Sequence, residues 1–326
     1  MNFQQRQALY QQIENDRDTK VIAFVTGDRS GLETQIAGDA IDLFVALLDE
    51  IGPTEKLSLI LHTNGGSVSA AWRLINLVRT FCDHLEVLIP SKAMSAGTLM
   101  TLGADKIVMT KQAALGPIDP SLDHPLGPSI ATSNGPVRVS VSAEAVHGYL
   151  NEAKRDIEDP AGMAAIWTDL ASRIHPIVLG EVFRRRAQIR FLAGRLIQYA
   201  VPDESKRQNV IDLLCSDSGS HDYTLNRREA RDLGLAVENP SAALYQTLNA
   251  IAKSYLDELK VLEPYSPAVV LGANQQARYL WMRGLVESTG GGCYGYVTEG
   301  QLVETMNGNQ RLISDQRAFD GWRKIA

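Results

Sequence analysis

The chain of 326 residues is 44% hydrophobic and 21% charged, a composition typical of soluble globular proteins. Its length allows a full hydrophobic core and favours one large domain with an appendage over several small domains. The formal net charge of -6 gives no general attraction to nucleic acid, and no apolar run reaches the roughly 18 residues of a membrane span. We therefore expect a cytoplasmic protein with no nucleic-acid partner and no membrane span.

The first hundred residues alternate between helical and strand patterns. Continuous apolar runs between amphipathic stretches are typical of a parallel sheet that helices cover on both faces. The predicted elements are, in chain order, a helix over 5–16, a strand over 20–27, a loop and helix over 31–51, a strand over 57–62, a helix over 67–81 and a strand over 85–90.

The pattern then changes twice. A long stretch rich in Pro, Gly and Ser, 111–136, predicts an irregular loop of a length that is usually functional. From residue 240 a helix leads into strands joined by glycine turns, so we predict a domain over 1–239 and a C-terminal extension over 240–326. The other predicted elements are a helix over 95–104, a strand over 105–110, a strand over 137–141, helices over 142–156, 161–172 and 175–200, and, within 225–238, a helix that closes at Gly234 and a short strand after it.

A Gly-Gly turn and a serine follow two of the predicted strands. Gly65 and Gly66 come directly after the strand over 57–62, and Ser95 comes soon after the strand over 85–90. In a parallel sheet both positions fall at the same edge. Glycines let the backbone approach a ligand closely, and backbone N–H groups at a helix start can face developing negative charge. This combination is suited to acyl transfer.

Five motifs carry a family resemblance: HTNGGSV from residue 62, KAMSAGTLMTLGADKIVM from 92, ALGPIDPSL from 114, HPIVLG from 175 and SHDYTLNRREARDLGL from 220. Together they resemble the serine dehydrogenase proteinase family of Clp-fold serine proteases, which is related to Clp peptidase and signal peptide peptidase A. The similarity covers about residues 20–238. It implies an α/β fold of the ClpP/crotonase-like type, with stacked ββα units in a superhelix and parallel sheets, followed here by a C-terminal α+β extension.

The resemblance also implies roles for individual residues. Ser95 would be the nucleophile, and the backbone N–H groups of Gly66 and Ala96 would form the oxyanion hole. Each such donor is typically worth roughly 3–4 kcal/mol of transition-state stabilisation. Gly65 and Ser67 would bind substrate. The alternative for Ser95 is that its hydroxyl only caps the helix that follows.

The general base is the open position of this site. Aligned with Clp peptidase, the catalytic histidine falls on Pro117, and no lysine lies between Lys111 and Lys154, where a signal-peptidase-like base is expected. We favour His175, because the corresponding helix of the lysine-using relatives begins near their base and an imidazole accepts protons near neutral pH. A histidine that only caps or packs at a helix start is the alternative. Other candidates for a base or an orienting residue are His124, His147, Lys154 and Asp222.

Several other side chains have structural interpretations. We predict that Lys92 points to solvent and that His62 and His84 are structural. Cys82, Cys215 and Cys293 are widely spaced, which predicts neither a disulfide framework nor a metal site. We expect neither a metal nor a cofactor.

The preferred function is an ATP-independent serine endopeptidase that cleaves peptides or unfolded proteins inside a homo-oligomer, as the family resemblance implies. The sequence has no GxxxxGK[ST] motif for an ATPase. A second hypothesis is a catalytically impaired Clp-fold scaffold or peptide-binding protein, favoured by the missing lysine and displaced histidine. A third is a crotonase-like acyl-CoA enzyme, which uses a similar oxyanion geometry.

Overall fold

The computed structural model describes residues 2–119, 121–132, 135–198, 200–217, 223–307 and 310–326. In these ranges the chain forms a mixed α/β fold around one large sheet. None of the helices seen there combines the length and the apolar character needed to cross a bilayer.

Eleven α-helices occur in the described ranges, together with one short 3₁₀ turn at Gly38–Ala40 and one π-helical turn at Leu213–Asp217. The helices are α1 Phe3–Arg17, α2 Ile41–Ile51, α3 Val68–Arg79, α4 Ala96–Leu102, α5 Ala143–Asp156, α6 Pro160–Arg173, α7 Pro176–Ile197, α8 Glu204–Asp212, α9 Arg227–Asp232, α10 Ala242–Glu258 and α11 Pro267–Leu271.

The strands of the described ranges include several of only two residues, which pair around the loops. The strands are β1 Lys20–Thr26, β2 Thr54–His62, β3 Cys82–Ile89, β4 Lys92–Ala93, β5 Lys106–Met109, β6 Ala114–Leu115, β7 Ser121–Leu122, β8 Ser129–Thr132, β9 Gly135–Arg138, β10 Val141–Ser142, β11 Leu225–Asn226, β12 Val237–Glu238, β13 Gln276–Ser288, β14 Gly292–Asn307 and β15 Gln310–Lys324.

The large sheet has the strand order β12-β5-β3-β2-β1-β13-β14-β15. Strands β12, β5, β3, β2 and β1 are parallel, which confirms the predicted α/β architecture with a mostly parallel sheet. At β1 the direction changes, because Ile22 pairs antiparallel with Ser288 of β13. The carboxyl ends of β2 and β3 consequently lie side by side, as the sequence pattern predicts.

Alternate residues of the central strands enter two different hydrophobic layers, because successive side chains of a strand point to opposite faces. Leu59 and Leu61 of β2 lie in the larger core with Phe44 of α2 and Leu74 of α3. Ile60, between them, packs in the second layer with residues of α1 and α10. The helix that follows the Gly-Gly turn therefore lies on the opposite face of the sheet from the N-terminal helix.

The C-terminal residues continue the same sheet. Strand β13 pairs with β1, and the antiparallel hairpin of β14 and β15 follows it. The fully buried Arg6 of α1 pairs with Glu287 of β13 and Glu258 of α10, so the two chain regions share a buried ion network. The predicted boundary at 239/240 falls between β12 and α10, and the division into two domains stays a prediction.

Two predicted elements differ from the structure. The loop over 111–136 contains the short strands β6, β7 and β8 and the start of β9. The helix predicted to close at Gly234 is limited to α9 at Arg227–Asp232, while the short strand predicted after it is present as β12. In both cases a two-residue strand pairs with a distant partner, since Leu225 of β11 pairs with Leu115 of β6. Such pairing replaces the helical or irregular backbone that local composition favours.

Candidate active site

The Gly-Gly turn and the serine segment are in direct contact. A Cβ atom added to Gly65 would lie 2.8 Å from the Cβ of Ser95 and 3.1 Å from the backbone nitrogen of Ala96. Only a glycine allows this approach, and its φ of 106° also belongs to the region that favours glycine. The two sequence features, 30 positions apart, therefore meet at one place.

Ser95 has a strained backbone. Its φ is 50° and its ψ is -115°, and α4 begins at the next residue. Such a conformation costs a non-glycine residue of order 1–3 kcal/mol and is found most often at functional sites. The Ser95 side chain makes no capping hydrogen bond to the helix. Helix capping therefore does not explain this serine.

The N–H group of Gly66 is directed away from the neighbouring chain segment. The Gly65 carbonyl accepts a hydrogen bond from the Ile36 N–H at 2.8 Å, and the Ser67 N–H donates to the Ile36 carbonyl at 2.8 Å. The C=O and N–H of one trans peptide point in opposite directions. Because the carbonyl of the 65–66 peptide points toward Ile36, the Gly66 N–H points to the other side.

The same reasoning applies to Ala96, the first residue of α4. The Ser95 carbonyl accepts from the Leu99 N–H at 3.1 Å along the helix, so the Ala96 N–H points back toward the helix start. In the described parts of the chain, neither this N–H nor that of Gly66 has a hydrogen-bond acceptor. Two backbone donors are thus free on either side of the Gly65–Ser95 contact.

Backbone hydrogen bonds keep these segments in register. The Thr63 N–H donates to the Lys92 carbonyl at 3.2 Å, and the Met94 N–H donates to the Thr63 carbonyl at 3.0 Å. A Cβ on Gly97 would lie only 2.4 Å from Cγ2 of Thr63, so α4 starts directly against the end of β2. Close contact on both sides leaves the serine little freedom to move.

One side chain links α4 to the loop that follows β6. The hydroxyl of the buried Thr98 lies 2.8 Å from the carbonyls of Ala93 and Gly116 and accepts from the Gly116 N–H at 3.1 Å. Two residues later the Ile118 N–H donates to the Leu214 carbonyl at 2.7 Å. These bonds place the next residue, Asp119, beside the serine segment.

Ser95 lines a cleft of about 690 Å³ between the Gly-Gly turn and α7. Its described lining is mainly polar and carries both acidic and basic side chains. The lining residues are Gln35, Asn64, Gly66, Ser67, Val68, Ser69, Ser95, Asp119, Ser121, Asp123, Glu181, Arg184, Arg185, Gln188 and Ile189. The cleft holds the predicted nucleophile, one predicted oxyanion donor and the predicted substrate contact Ser67.

Asp119 is an acidic residue of the cleft that the motifs did not single out as catalytic. Its Oδ2 accepts from the Ser142 hydroxyl at 2.9 Å, and its Oδ1 is buried without a partner among the described residues. Glu144, two residues after Ser142, pairs with Arg186 of α7 at 2.7 Å. Burial raises the pKa of Glu144, although Arg186 favours its charged form. The sequence signal was the position of Asp119 in the ALGPIDPSL motif.

The basic residues of the cleft share one carboxylate of α7. Glu181 pairs with Arg184 at 2.7 Å and with Arg185 at 3.3 Å, and these interactions lower the pKa of Glu181. Both arginines lie three or four residues after Glu181, the spacing at which side chains on one helix face meet. The Glu181 carboxylate therefore balances one of these two positive charges.

The candidate bases named from the sequence lie elsewhere. His175 is exposed at the N-cap of α7, where its Nδ1 accepts from the Ile177 N–H at 3.2 Å. His124 accepts from the Leu126 N–H at 3.0 Å, and His147 and Lys154 lie on α5. None of these four belongs to the described lining of the cleft. Asp222 lies outside the described residues, and the assignment of His175 as the base stays a prediction.

Lys92 does not point to solvent as predicted. Its ammonium group forms an ion pair with Asp28 at the end of β1. Oγ of Ser91 and Nδ1 of the buried His62 are 2.7 Å apart, and the structural role of His62 stays a prediction. Burial alone would raise the pKa of Asp28, but His62 and Lys92 outweigh burial and hold that pKa well below its ordinary value. This cluster ties the segment before Ser95 to the ends of β1 and β2.

Residues 1–135 match the family of ClpP-like SDH-type serine proteinases. This match confirms the resemblance that the motifs indicated. The matched region contains Gly65, Gly66, Ser95 and Ala96 and ends before His175, so it favours a serine peptidase and leaves the base unassigned.

Two relatives from Methanocaldococcus jannaschii extend the similarity beyond the matched region. The uncharacterized protein MJ0137 is 25% identical over 272 residues, which cover 80% of this chain and 83% of the relative. The uncharacterized protein MJ1495 is 24% identical over 248 residues, covering 73% of each chain. The similarity therefore spans most of the chain, while neither relative has an established activity to compare.

Proposed function

We propose that this protein is a serine endopeptidase that hydrolyses peptide bonds through an acyl-enzyme on Ser95. The observation that carries the proposal is the contact of Gly65 with Ser95 and Ala96 at the wall of a cleft. The Ser95 Oγ would attack the substrate carbonyl carbon and lose its proton to a base. The C–N bond then breaks, the leaving amine takes up that proton, and water releases the acyl group.

The oxyanion of the tetrahedral intermediate would accept hydrogen bonds from Gly66 and Ala96. Both N–H groups lie next to the Gly65–Ser95 contact and lack acceptors in the described part of the chain. Donors that are fixed before the reaction stabilise developing charge without reorganisation. Gly65 and Ser67 would contact the substrate backbone beside them.

We propose two candidates for the proton acceptor, one from the sequence and one from the cleft. His175 is the choice from the sequence, with His124, His147, Lys154 and Asp222 as alternatives. Asp119 is the choice from the cleft, since it lines the same space as Ser95 and its Oδ1 has no partner among the described residues. The Ser142 hydroxyl holds the other carboxylate oxygen, Oδ2, and Oδ1 would then accept the proton.

Further features of the proposal come from the family resemblance. They are a stacked ββα superhelix of the crotonase-like type, a homo-oligomer that encloses the cleft, ATP-independent action on peptides or unfolded proteins, and a cytoplasmic location. Each has its own simple test, and the oligomer is tested by light scattering of the purified protein.

Covalent labelling of the serine tests the nucleophile. A fluorophosphonate probe should label the wild-type chain at Ser95, as located by peptide mass spectrometry. Ser95→Ala should lose both the label and the hydrolysis of casein. Ser69→Ala is the matched control, because Ser69 is an exposed serine of the same cleft. The Ser69→Ala variant should be labelled at Ser95 like the wild-type chain. A wild-type chain that is folded yet unlabelled at Ser95 would count against the peptidase.

Two further variants separate the proposed bases. Asp119→Asn and His175→Ala each remove one acceptor while Ser95 and the backbone donors remain. The variant that lacks the true base should label and hydrolyse roughly 10²–10⁴-fold more slowly, the usual contribution of general base catalysis. The other variant should keep its rate. If both keep wild-type rates, neither residue accepts the proton.

One observation favours the scaffold hypothesis as a second candidate. The described lining of the cleft contains neither a histidine nor a lysine, the residue types that most often activate a serine. A scaffold would bind unfolded polypeptide without cleaving it. Binding of casein by wild type and Ser95→Ala with equal affinity, and no cleavage by either, is the result that this second candidate predicts.

A further inference from the structure

One arginine of the C-terminal strands holds the loop that follows β1 and contacts the Gly-Gly turn. Arg283, on β13, donates from Nε to the Leu32 carbonyl at 2.9 Å and from Nη2 to the Glu33 carbonyl. The Arg283 carbonyl in turn accepts from the Gly27 N–H at 2.8 Å and the Thr34 hydroxyl at 2.7 Å. Both the side chain and the backbone of this residue therefore bind the same segment.

The guanidinium is oriented from its other side by β14 and β15. Nη1 donates to the Thr298 hydroxyl at 3.0 Å and to Oδ1 of Asp320 at 3.1 Å. The Thr298 hydroxyl lies 2.6 Å from the same Asp320 oxygen, and the ring centroid of Tyr296 lies 5.3 Å from the guanidinium carbon. A planar fork with fixed acceptors on both sides has little freedom to rotate.

The held segment ends at the oxyanion turn. Three residues after Glu33, Ile36 donates to the Gly65 carbonyl and accepts from the Ser67 N–H, both at 2.8 Å. This pair of bonds sets the direction of the Gly66 N–H. A Cβ on Gly66 would lie 2.4 Å from the Ile36 carbonyl oxygen, so the two segments are in tight contact. Movement of 32–36 would therefore rotate or displace the 65–66 peptide.

We propose that Arg283 is a positioning residue for the reaction at Ser95. It holds Leu32 and Glu33 so that Ile36 keeps the Gly66 N–H directed into the cleft. This inference rests on the proposed peptidase function and gives the C-terminal strands a part in it. Arg283 touches no reacting atom, and its effect passes through the backbone of 32–36.

The chemistry of the side chain explains why arginine stands there. Two carbonyls and one carboxylate oxygen are contacted by three different nitrogens of a single planar group. A lysine carries the charge but presents its donors from one point and does not reproduce the fork. Arg283→Lys should therefore have lower activity than wild type, although the lysine charge still interacts favourably with Asp320.

The test compares Arg283→Lys and Arg283→Gln with Arg323→Gln. Arg323 is a suitable control because it lies in the same antiparallel region and pairs with Glu299 at 2.9 Å. Hydrogen–deuterium exchange is measured on peptides that cover 27–36 and 63–68. Casein hydrolysis is measured in parallel, with kcat and KM determined separately.

Both Arg283 variants should exchange faster than wild type in 27–36 and 63–68, with the rest of the chain unchanged. Their kcat should fall roughly 10- to 100-fold, as for other small misplacements of a catalytic group, with KM nearly constant. Arg323→Gln should match wild type in both measurements. Unchanged exchange in 63–68, or an equal effect in Arg323→Gln, would overturn the proposal.

The exchange measurement does not depend on catalysis. If wild type hydrolyses nothing and carries no label on Ser95, the peptidase function fails, and exchange in 63–68 still decides whether Arg283 holds the turn. If wild type is active and the Arg283 variants keep its kcat, the positioning role fails while the peptidase stands. The two failures are thus distinguishable.

Discussion

Gly65 and Ser95 are so close that a single added carbon on the glycine would lie 2.8 Å from the serine Cβ. Cβ atoms in proteins are not found this close to another carbon, so the contact requires glycine at position 65. The contact also places the strained Ser95 beside the Gly66 N–H, which has no acceptor among the described residues. The neighbouring Gly66 has a φ of 144°, which also favours glycine. The shape of the site therefore depends on two backbone positions as much as on the serine itself.

Replacement of Gly66 by alanine should remove activity. The new Cβ would meet the Ile36 carbonyl oxygen at 2.4 Å, and the backbone strain alone costs roughly 1–3 kcal/mol. We expect slower fluorophosphonate labelling of Ser95 and a lower melting temperature. The control is Gly38→Ala, where no atom lies within 4 Å of the new carbon. Labelling of Gly66→Ala at the wild-type rate would exclude an oxyanion role for this turn.

Glu86 should make stability sensitive to acid. The fully buried Glu86 of β3 accepts from Arg17 at 2.8 and 2.6 Å. Burial would raise the Glu86 pKa, but Arg17 and Ser58 outweigh burial and lower it from its ordinary value of 4.5. A lowered pKa in the folded state stabilises the protein above pH 4.5, and that contribution is lost as the pH falls below this value.

Glu86→Gln should therefore lower the free energy of unfolding by about 3 kcal/mol near neutral pH, as expected for a broken buried pair. The difference from wild type should shrink at about pH 4 and below. Urea unfolding at both pH values measures it, and Asp83→Asn, an exposed change on the same strand, is the control. A difference that stays constant with pH would contradict this account.

The three cysteines should react slowly with thiol reagents in the folded protein. Burial raises the pKa of Cys82 to about 11 and that of Cys215 to about 12, and burial with Glu287 raises the pKa of Cys293 further. The thiolate is the reactive form, so little of it is present near neutral pH. An aromatic disulfide reagent should titrate all three thiols only in denaturant. Rapid reaction of the native protein would contradict these raised pKa values.

A chain that ends at residue 239 should fail to fold as a soluble unit. It lacks the partner of β1 on one side, where Ile22 pairs with Ser288 and Phe24 pairs with Val286. An apolar strand with an unpaired edge is prone to aggregate. Size-exclusion chromatography of 1–239 beside the full chain is the measurement. A monodisperse 1–239 chain that labels at Ser95 would show instead that the predicted boundary separates an independent domain.

The region from β2 to β5 could be predicted well from the sequence. Its strands and helices are adjacent in both sequence and space, and their apolar periodicity reflects one continuous core. The contact of Gly65 with Ser95 followed from the rule that parallel strands share an edge. Local patterns were sufficient there because the neighbours in the fold are also neighbours in the chain.

Other features depended on partners far away in the sequence. The ion pair of Lys92 with Asp28 replaces the predicted solvent exposure, because nothing near Lys92 in the chain indicates that the segment after β1 lies beside it. The pairing of β13 with β1 could not be predicted from the sequence either, since an antiparallel strand can join either edge of a sheet. Asp119 reached the cleft through the hydrogen bonds of Thr98 and Ile118, which no spacing rule describes.

The buried pair of Arg6 and Glu287 has a consequence for the order in which the protein assembles. Synthesis proceeds from the N-terminus, so the helix that carries Arg6 leaves the ribosome long before its acidic partner is made. A guanidinium is not buried without a counter-charge, since desolvation of an unpaired ion is costly. The nascent α1 therefore stays exposed to solvent until β13 has been synthesised. Only then can the hydrophobic layer between α1, α10 and the sheet form.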